Sequence, residues 1–576
     1  MSLTTPALPE LSDETRAALD STVATLAAGA EAWSALPLAE RAALLARTHE
    51  SIASQREEWA LTGSTIKGLD PQSPLVGEEW MTGPYATLGA LTVLVESIGK
   101  LANGTSPLAG ARFGSAPGGR TTVGVAPHAT VDGLLLNGFR AEIWLQPGIT
   151  PAQAAAAAGL GQLTPTVSGG VGLVLGAGNV TSIPPLDVLY ELVAHNRSVV
   201  LKLNPIMAPM KRVYDAALAP LIDFGVLRVV QGGGVEGGYL ANHPDVAHVH
   251  MTGSAATHDA IVWGVGDEAL ERKRAGSPKL VKPITSELGG VSPVIVVPGR
   301  WTKRDLVYQA EHVATMRLHN GGYNCIAGQI VVLSADWAQK DEFIDAVRAA
   351  VERAPQREAW YPGSADRVSN ATSAYPDAQN LGGQRLVVDV KADGDARYLE
   401  TTECFSPVLG IIELPGSGQE FLDSAVRTVN ADFIGTLGAN VLIDPADIRR
   451  LGSGFRDAIA QLRYGNIAIN SWTGVIFATA TASWGAFPGH TIENVQSGIG
   501  VVHNALLIAD TERTVMTGPF RPFPRSIVHG ELALFPKPPW FVTARSARAT
   551  GRLLADFAAK TSLLKLPAIF ASAFRA

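Results

Sequence analysis

Val171-Gly172-Leu173-Val174-Leu175-Gly176-Ala177-Gly178-Asn179 is a short apolar run closed by a turn of small residues. Such a run reads as a strand buried on both faces, and the glycines after it allow a tight turn. A helical segment at 185–195 follows and opens on a proline, which the first helical turn tolerates. Ser198-Val199-Val200-Leu201-Lys202-Leu203 is the next strand, and residues 210–224 the next helix. Leu227-Arg228-Val229-Val230 and the stretch 246–251 supply two more strands. Strands alternating with helices predict an α/β fold with a parallel sheet, which binds ligands at the carboxyl ends of its strands.

Working outward, Gly232-Gly233-Gly234-Val235-Glu236-Gly237 matches the glycine fingerprint of dinucleotide loops. It follows the third strand rather than the first, and no acidic residue at the expected distance is a clear ribose ligand. A turn before a helix and a pyrophosphate cradle both stay open. Upstream, Ser12-Asp13-Glu14 can cap a first helix. Helical spacing then runs through Trp33, Leu44, Leu45, Ile52 and Trp59, broken in two at Pro37. Thr121–Val125 and Ala141–Leu145 are β-rich, with a turn-rich segment between them, and predict an extended β excursion.

Downstream, Glu287-Leu288-Gly289-Gly290 precedes an apolar strand, and a helix at 305–318 delivers the chain to Asn320-Gly321-Gly322-Tyr323-Asn324-Cys325. A thiol acts as a nucleophile when it is accessible and the local field lowers its pKa. Cys325, among small residues, suits that role; it equally suits a small buried hydrophobe. The second cysteine, Cys404, sits between bulky residues and reads as structural. Gly465 to Trp472 reads as a strand ending at Asn470.

The chain of 576 residues needs two or three domains. A hydrophobic share of 46% with 17% charged residues is globular, and a net charge of -7 gives no basic footprint for nucleic acid. Two cysteines build no disulfide framework. The polar, acidic start (1–14) lacks the pattern of a signal peptide, and no apolar stretch is expected to be long enough to span a bilayer. The expected location is cytoplasmic.

Taken in order, several of these pieces resemble the NAD(P)-dependent aldehyde dehydrogenase superfamily. They are Glu31-Ala32-Trp33 with Pro37-Leu38-Ala39-Glu40-Arg41, Gly178-Asn179, Lys202-Leu203-Asn204-Pro205, Met251-Thr252-Gly253-Ser254, Glu287-Leu288-Gly289-Gly290, Asn324-Cys325, Glu403-Cys404-Phe405-Ser406-Pro407 and Gly465 to Asn470. The order and spacing of Glu287–Gly290, the Cys325 loop and the Glu403–Pro407 stretch carry most of the specificity.

The resemblance implies a Rossmann-like cofactor domain (1–117 and 164–286), a β-flap for oligomerisation (118–163 and 497–515, with a late strand near 499–503), an α/β catalytic domain (287–496) and a C-terminal extension (516–576). It implies Cys325 as nucleophile, Glu287 as general base and Asn179, with the Cys325 backbone N–H, as oxyanion donors. Lys202, Gly253, Ser254, Glu403 and Phe405 would hold the dinucleotide, NAD or NADP, and no metal is implied. Gly233 and Gly237 then become structural. The partners implied are a small aldehyde and further copies of the chain in a homodimer or homotetramer; a tail in contact with a membrane would further point to a lipophilic aldehyde. Trp472, Phe477, Trp484 and Phe487 suggest an apolar pocket.

The sequence departs from the family at several points. Gly322-Tyr323 replaces Gly-Gln before the cysteine. Pro205 stands where a glutamate commonly rejects a 2′-phosphate. Gly178 replaces an aromatic before Asn179, and His258 replaces a glycine. An acylating aldehyde dehydrogenase or acyl-CoA reductase of the same fold is the alternative reading, and a catalytically silent scaffold is a further one. Beyond the family's usual end, prolines make 517–540 extended. Residues 541–576 mix basic and bulky apolar side chains, which suits packing on the chain itself or peripheral contact with an anionic membrane.

Overall fold

The computed structural model describes residues 11–391 and 394–576. The reading of the chain's start therefore falls largely outside the described residues. Ser12 caps the helix Asp13–Ala35 by accepting the Thr15 N–H, and Pro37 separates it from Leu38–Ile66. Trp33, Leu45, Ile52 and Trp59 are fully buried along the apolar stripe of this pair.

Among the described residues the strands form two large sheets. One has six strands in the order Gly498–Ile499, Ile284–Leu288, Val246–Gly253, Val171–Leu175, Ser198–Lys202, Leu227–Val230. All neighbours in it are parallel except the first pair. The helices Ile183–His195 and Lys211–Ala217 with Ala219–Phe224 make the crossovers, as the alternation predicted.

The second sheet has eleven strands. An antiparallel excursion, Arg112–Ala116, Arg120–Ala126 and Arg140–Leu145, runs through Thr511–Thr517 into parallel strands that include Asn466–Ile469, Gly438–Leu442, Ser292–Val296 and Gly328–Ser334. The turn-rich segment of the excursion contains a short helix, Thr130–Leu135.

Three expectations need correction. The late strand that completes the excursion is Thr511–Thr517, not 499–503. Gly498 and Gly500 have φ of 122° and 90°, so no long ladder can pass through them; Ile499 pairs with Ser286, and Val501–His503 pairs with Trp484–Gly485. Second, Glu287 lies within a strand of the six-stranded sheet, so a boundary at 286/287 cuts that strand. Gly289-Gly290 is the crossing to Ser292–Val296 in the other sheet.

Third, one helical run, Val76–Ala102, is by length and composition apolar enough to cross a membrane, contrary to expectation. Here its apolar side chains serve the core: Leu88, Leu91 and Ile98 are fully buried, and the run is kinked at Gly83-Pro84.

The C-terminal extension packs on its own chain. Its helix Ala547–Ala559 lies so close to Val76–Trp80 that a Cβ on Gly77 would stand 2.4 Å from the Ala547 carbonyl carbon. Arg56 pairs with Asp556 at 2.6 Å. The stretch 517–540 is largely irregular, with one short helix, Arg525–Val528.

Candidate active site

The helix Lys303–Leu318 ends into three residues with left-handed backbone: Asn320, Gly321 and Gly322, at φ 56°, 72° and 84°. Asparagine and glycine are the residues that adopt this conformation with little strain. At Gly322 space is short as well, because a Cβ would meet the Ser406 backbone at 3.0 Å. The Asn320 amide nitrogen donates to the Asn179 carbonyl (3.0 Å) and to Asn324 Oδ1 (3.2 Å). The Asn320 backbone N–H donates to Glu78 Oε2 at 3.1 Å, and Arg357 donates to the same oxygen at 2.8 Å. The loop is thereby fixed at both ends, and it presents Cys325 to a cleft of about 660 Å³.

Cys325 Sγ donates to Glu287 Oε1 at 3.0 Å, and the Trp484 indole N–H donates to the same oxygen at 3.2 Å. Burial pushes the Glu287 carboxyl up to about 7, with the two donors holding it down. Burial, then the Glu287 charge, pushes the Cys325 thiol well above its ordinary value. This corrects the expectation of a field that lowers the thiol pKa. Low dielectric and a neighbouring carboxylate both disfavour a thiolate, so Cys325 rests as a thiol whose proton already points at its base.

The other expected residues line the same cleft. Asn179 follows the turn after Val171–Leu175; of its two amide N–H donors, one goes to the Tyr323 carbonyl at 2.9 Å. Lys202 ends its strand, and burial lowers its pKa against the pull of Glu236. Gly253 ends the strand Val246–Gly253, and Ser254 caps the helix Ala255–Val262 by accepting the Thr257 N–H. Glu403 is pushed up to about 8 by burial, then by Glu287, and its Oε1 has no partner. A Cβ on Gly289 would stand 1.8 Å from that oxygen, so only glycine fits beside the carboxyl. Phe405 packs edge-on to Tyr361 at 5.0 Å. The glycine fingerprint forms a turn, with the Gly233 N–H bound to Glu236 Oε2 at 2.6 Å, ahead of a helix that flanks the cleft.

The cleft fits a dinucleotide. It lies at the carboxyl ends of the six-stranded sheet, with a cation at the end of one strand, glycines where backbone must come close, and an unpartnered buried carboxyl oxygen facing Gly289.

The four aromatics expected to form a pocket part company. Trp484 touches Glu287, and Phe477 packs on Trp484 at 5.3 Å. Trp472 lies tilted against His319 at 4.7 Å, whereas Phe487 lies under the Arg513 guanidinium.

Several residues of the site were not read from the sequence. Glu78 and Arg357 hold the cysteine loop. Asp187 accepts from Thr252 (3.0 Å) and pairs with His503 (3.0 Å), and those two face Glu287 and Trp484 across their strand pairs. Acidic residues inside apolar helices, Glu78-Glu79 and Asp187, were the available signal.

The aldehyde dehydrogenase family model matches residues 170–364. An aldehyde dehydrogenase of Enchytraeus buchholzi is 34% identical over 152 residues, 26% of this chain and 27% of that protein. A probable aldehyde dehydrogenase of Streptomyces coelicolor is 26% identical over 329 residues, 52% of this chain and 57% of that protein. The chain thus spans between about a quarter and just over half the length of these curated relatives. A solved structure of a Pseudomonas syringae aldehyde dehydrogenase C mutant with NAD+ and octanal is 19% identical, covers 88% of this chain and 90% of that one, and has a TM-score of 0.57. Over residues 170–364 the chain is thus similar to the aldehyde dehydrogenase family. At such identity the structural likeness speaks to the aldehyde dehydrogenase fold; the residues that make the site are those of this chain.

Proposed function

We propose that the chain oxidises an aldehyde to a carboxylic acid, with NAD or NADP as the electron acceptor. The observation that carries this reading is the 3.0 Å contact between the Cys325 thiol and the Glu287 carboxyl at the floor of the dinucleotide-sized cleft. Glu287 takes the thiol proton as Cys325 Sγ bonds to the aldehyde carbon, giving a thiohemiacetal. The Asn179 amide N–H not used by Tyr323 and the Cys325 backbone N–H would stabilise the developing oxyanion. Lys202, Gly253, Ser254, Glu403 and Phe405 would hold the dinucleotide, which when bound would supply the hydride acceptor. A thioester then remains on Cys325. Glu287, with a pKa near neutrality, gives the thiol proton up to solvent, then takes a proton from water as that water attacks the thioester and returns it to the departing sulfur, which releases the acid and the thiol.

A carboxylate this close to Cys325 favours water over a thiol as acyl acceptor. The test is dinucleotide reduction with a panel of aldehydes, with and without coenzyme A, and identification of the product. Carboxylic acid formed without coenzyme A is expected. A strict need for coenzyme A would replace this reading with the acylating one, and no reduction with any aldehyde would replace it with the scaffold.

The partners proposed are aldehyde and further copies of the chain, as a homodimer or homotetramer. The strand Arg112–Ala116 supports assembly, since it is an open sheet edge in the single chain. A weak contact of residues 541–576 with an anionic membrane surface is also proposed. It rests on Leu563 and Leu564, 66% and 91% exposed, beside Lys560 and Lys565.

A further inference from the structure

A glutamate side chain turns about several bonds, and left free it would leave the thiol for other rotamers. Two donors meet on one oxygen of Glu287. The Cys325 thiol reaches Oε1 at 3.0 Å and the Trp484 indole N–H reaches it at 3.2 Å. The two are not equivalent through the reaction. Once Cys325 carries an acyl group it has no S–H, and of the pair only the indole N–H remains. That is the stage at which Glu287 has to be ionised and in place to take a proton from water. A donor favours the charged carboxylate over the neutral acid. A phenylalanine at 484 would fill the position with an apolar ring and no donor.

The indole is itself held. Trp484 and His503 stand opposite each other on the short antiparallel pair Trp484–Gly485 and Val501–His503, so their rings share a face. Phe477 packs on both rings, at 5.3 and 5.4 Å. His503 Nε2 donates to Asp187 Oδ1 at 3.0 Å, from the helix Ile183–His195. Thr252 Oγ1 donates to Asp187 Oδ2 at 3.0 Å, and Thr252 stands opposite Glu287 on the neighbouring strand. The path returns to its start: Glu287, Trp484, His503, Asp187, Thr252, Glu287. Each step is one hydrogen bond or one pair of strand neighbours. Asp187 is buried in an otherwise apolar helix face, where an apolar side chain would pack without the cost of burying a charge.

The charged groups that face Glu287 from the surrounding elements are Asp187, His250 and Glu403. Asp187 favours the neutral acid and His250 the carboxylate, and the two lie 3.5 Å apart, so their effects oppose each other.

We propose that Trp484 is a positioning residue for the hydrolytic step, its indole N–H keeping Glu287 ionised and at the sulfur after the thiol proton has gone, and that the Asp187–His503 pair fixes the strands that carry the indole. The proposal rests on the aldehyde-oxidising reading, in which Glu287 is the base.

The experiment isolates that step without any hydride transfer. p-Nitrophenyl acetate acylates Cys325: an S–C bond forms, p-nitrophenolate leaves, and Glu287 takes the thiol proton. The acetyl-enzyme is desalted, and its loss to water is followed by intact mass across a range of pH, with peptide mapping to place the acetyl group on Cys325. The wild-type rate is expected to rise with pH as Glu287 ionises. In Trp484→Phe the lost donor raises the carboxyl pKa, so the midpoint is expected about one pH unit higher, with deacylation about tenfold slower below it. Dinucleotide affinity is expected to stay at the wild-type value, because Trp484 does not line that cleft. His503→Phe is expected to move the midpoint in the same direction by less. The double variant is expected to move it no further than Trp484→Phe alone, since His503 acts through the indole.

A folded Trp484→Phe protein with the wild-type midpoint overturns the role of the indole. Shifts that add in the double variant overturn the action of Asp187–His503 through it. Should Trp484→Phe not fold, His503→Phe decides: a raised midpoint supports the proposal and an unchanged one overturns it. Failure of the ester to label Cys325 removes the nucleophile and the proposal together. If no aldehyde reduces dinucleotide but the deacylation midpoint moves as expected, the oxidation fails and the positioning of Glu287 stands.

Discussion

At the scale of single residues, the Cys325–Glu287 pair sets the expected pH behaviour. Glu287 works as a base only when ionised, and burial brings its pKa to about 7. Turnover limited by thioester hydrolysis should therefore rise with pH through about 7 and fall about tenfold per unit below it, as read from a kcat profile. Cys325→Ala should remove dinucleotide reduction while the circular dichroism spectrum stays native, since a methyl replaces a half-buried thiol in a loop fixed by other contacts. Glu287→Gln should give a burst of reduced dinucleotide followed by slow turnover, with the acyl group on Cys325 detectable by mass spectrometry. Steady turnover at the wild-type rate would assign the water-activating role elsewhere. Both residues were legible from their motifs. The direction of the thiol pKa was not, because it depends on burial and on the Glu287 and Glu403 carboxyls, which the fold brings together from far apart in the chain.

At the scale of elements, two short pieces do much of the positioning. Gly289-Gly290 passes the chain from one sheet to the other beside Glu403, so Gly289→Ala should push that carboxyl aside. Dinucleotide affinity should fall by about tenfold, or ~1.4 kcal/mol, in a direct titration. The helix Val76–Trp80 carries Glu78 to the cysteine loop and Glu79 to Lys67 at 2.6 Å, with both side chains of that pair 1% exposed. Removing one partner strands the other charge, so Lys67→Ala should cost about 3–5 kcal/mol in denaturant unfolding. The helices and parallel strands were legible because apolar spacing and turn residues act locally. Glu78 was hidden in an apolar run whose period says nothing about which element its carboxylate faces. The partner of the strand Arg140–Leu145 was misread for the same reason: 499–503 and 511–517 are both β-like, and two glycines at positive φ decide between them.

At the scale of the whole molecule, the extension is part of the fold, and this decides how the proposed membrane contact can be tested. Phe541, Phe557, Leu566 and Ile569 are buried, and Phe520 is fully so. A chain ended near residue 515 would lose these contacts and leave Gln309 and Thr315 without their partners in the extension. It should aggregate or unfold at lower temperature, whatever its affinity for lipid. Within residues 541–576 the large apolar side chains that packing leaves over are Leu563, Leu564 and Phe574, at 66%, 91% and 49% exposure. Each fully inserted side chain of this kind contributes about 1.5–3 kcal/mol, so two or three with basic neighbours give a weak, reversible and salt-sensitive association rather than an anchor. The informative variant therefore replaces both leucines in the full chain, Leu563→Ser with Leu564→Ser, and leaves the buried face intact. The intact protein should co-sediment with anionic vesicles at low salt and dissociate as salt screens Lys560 and Lys565, while the double variant stays in the supernatant. Identical partition of the two proteins would remove the membrane contact and leave the extension with its packing role alone.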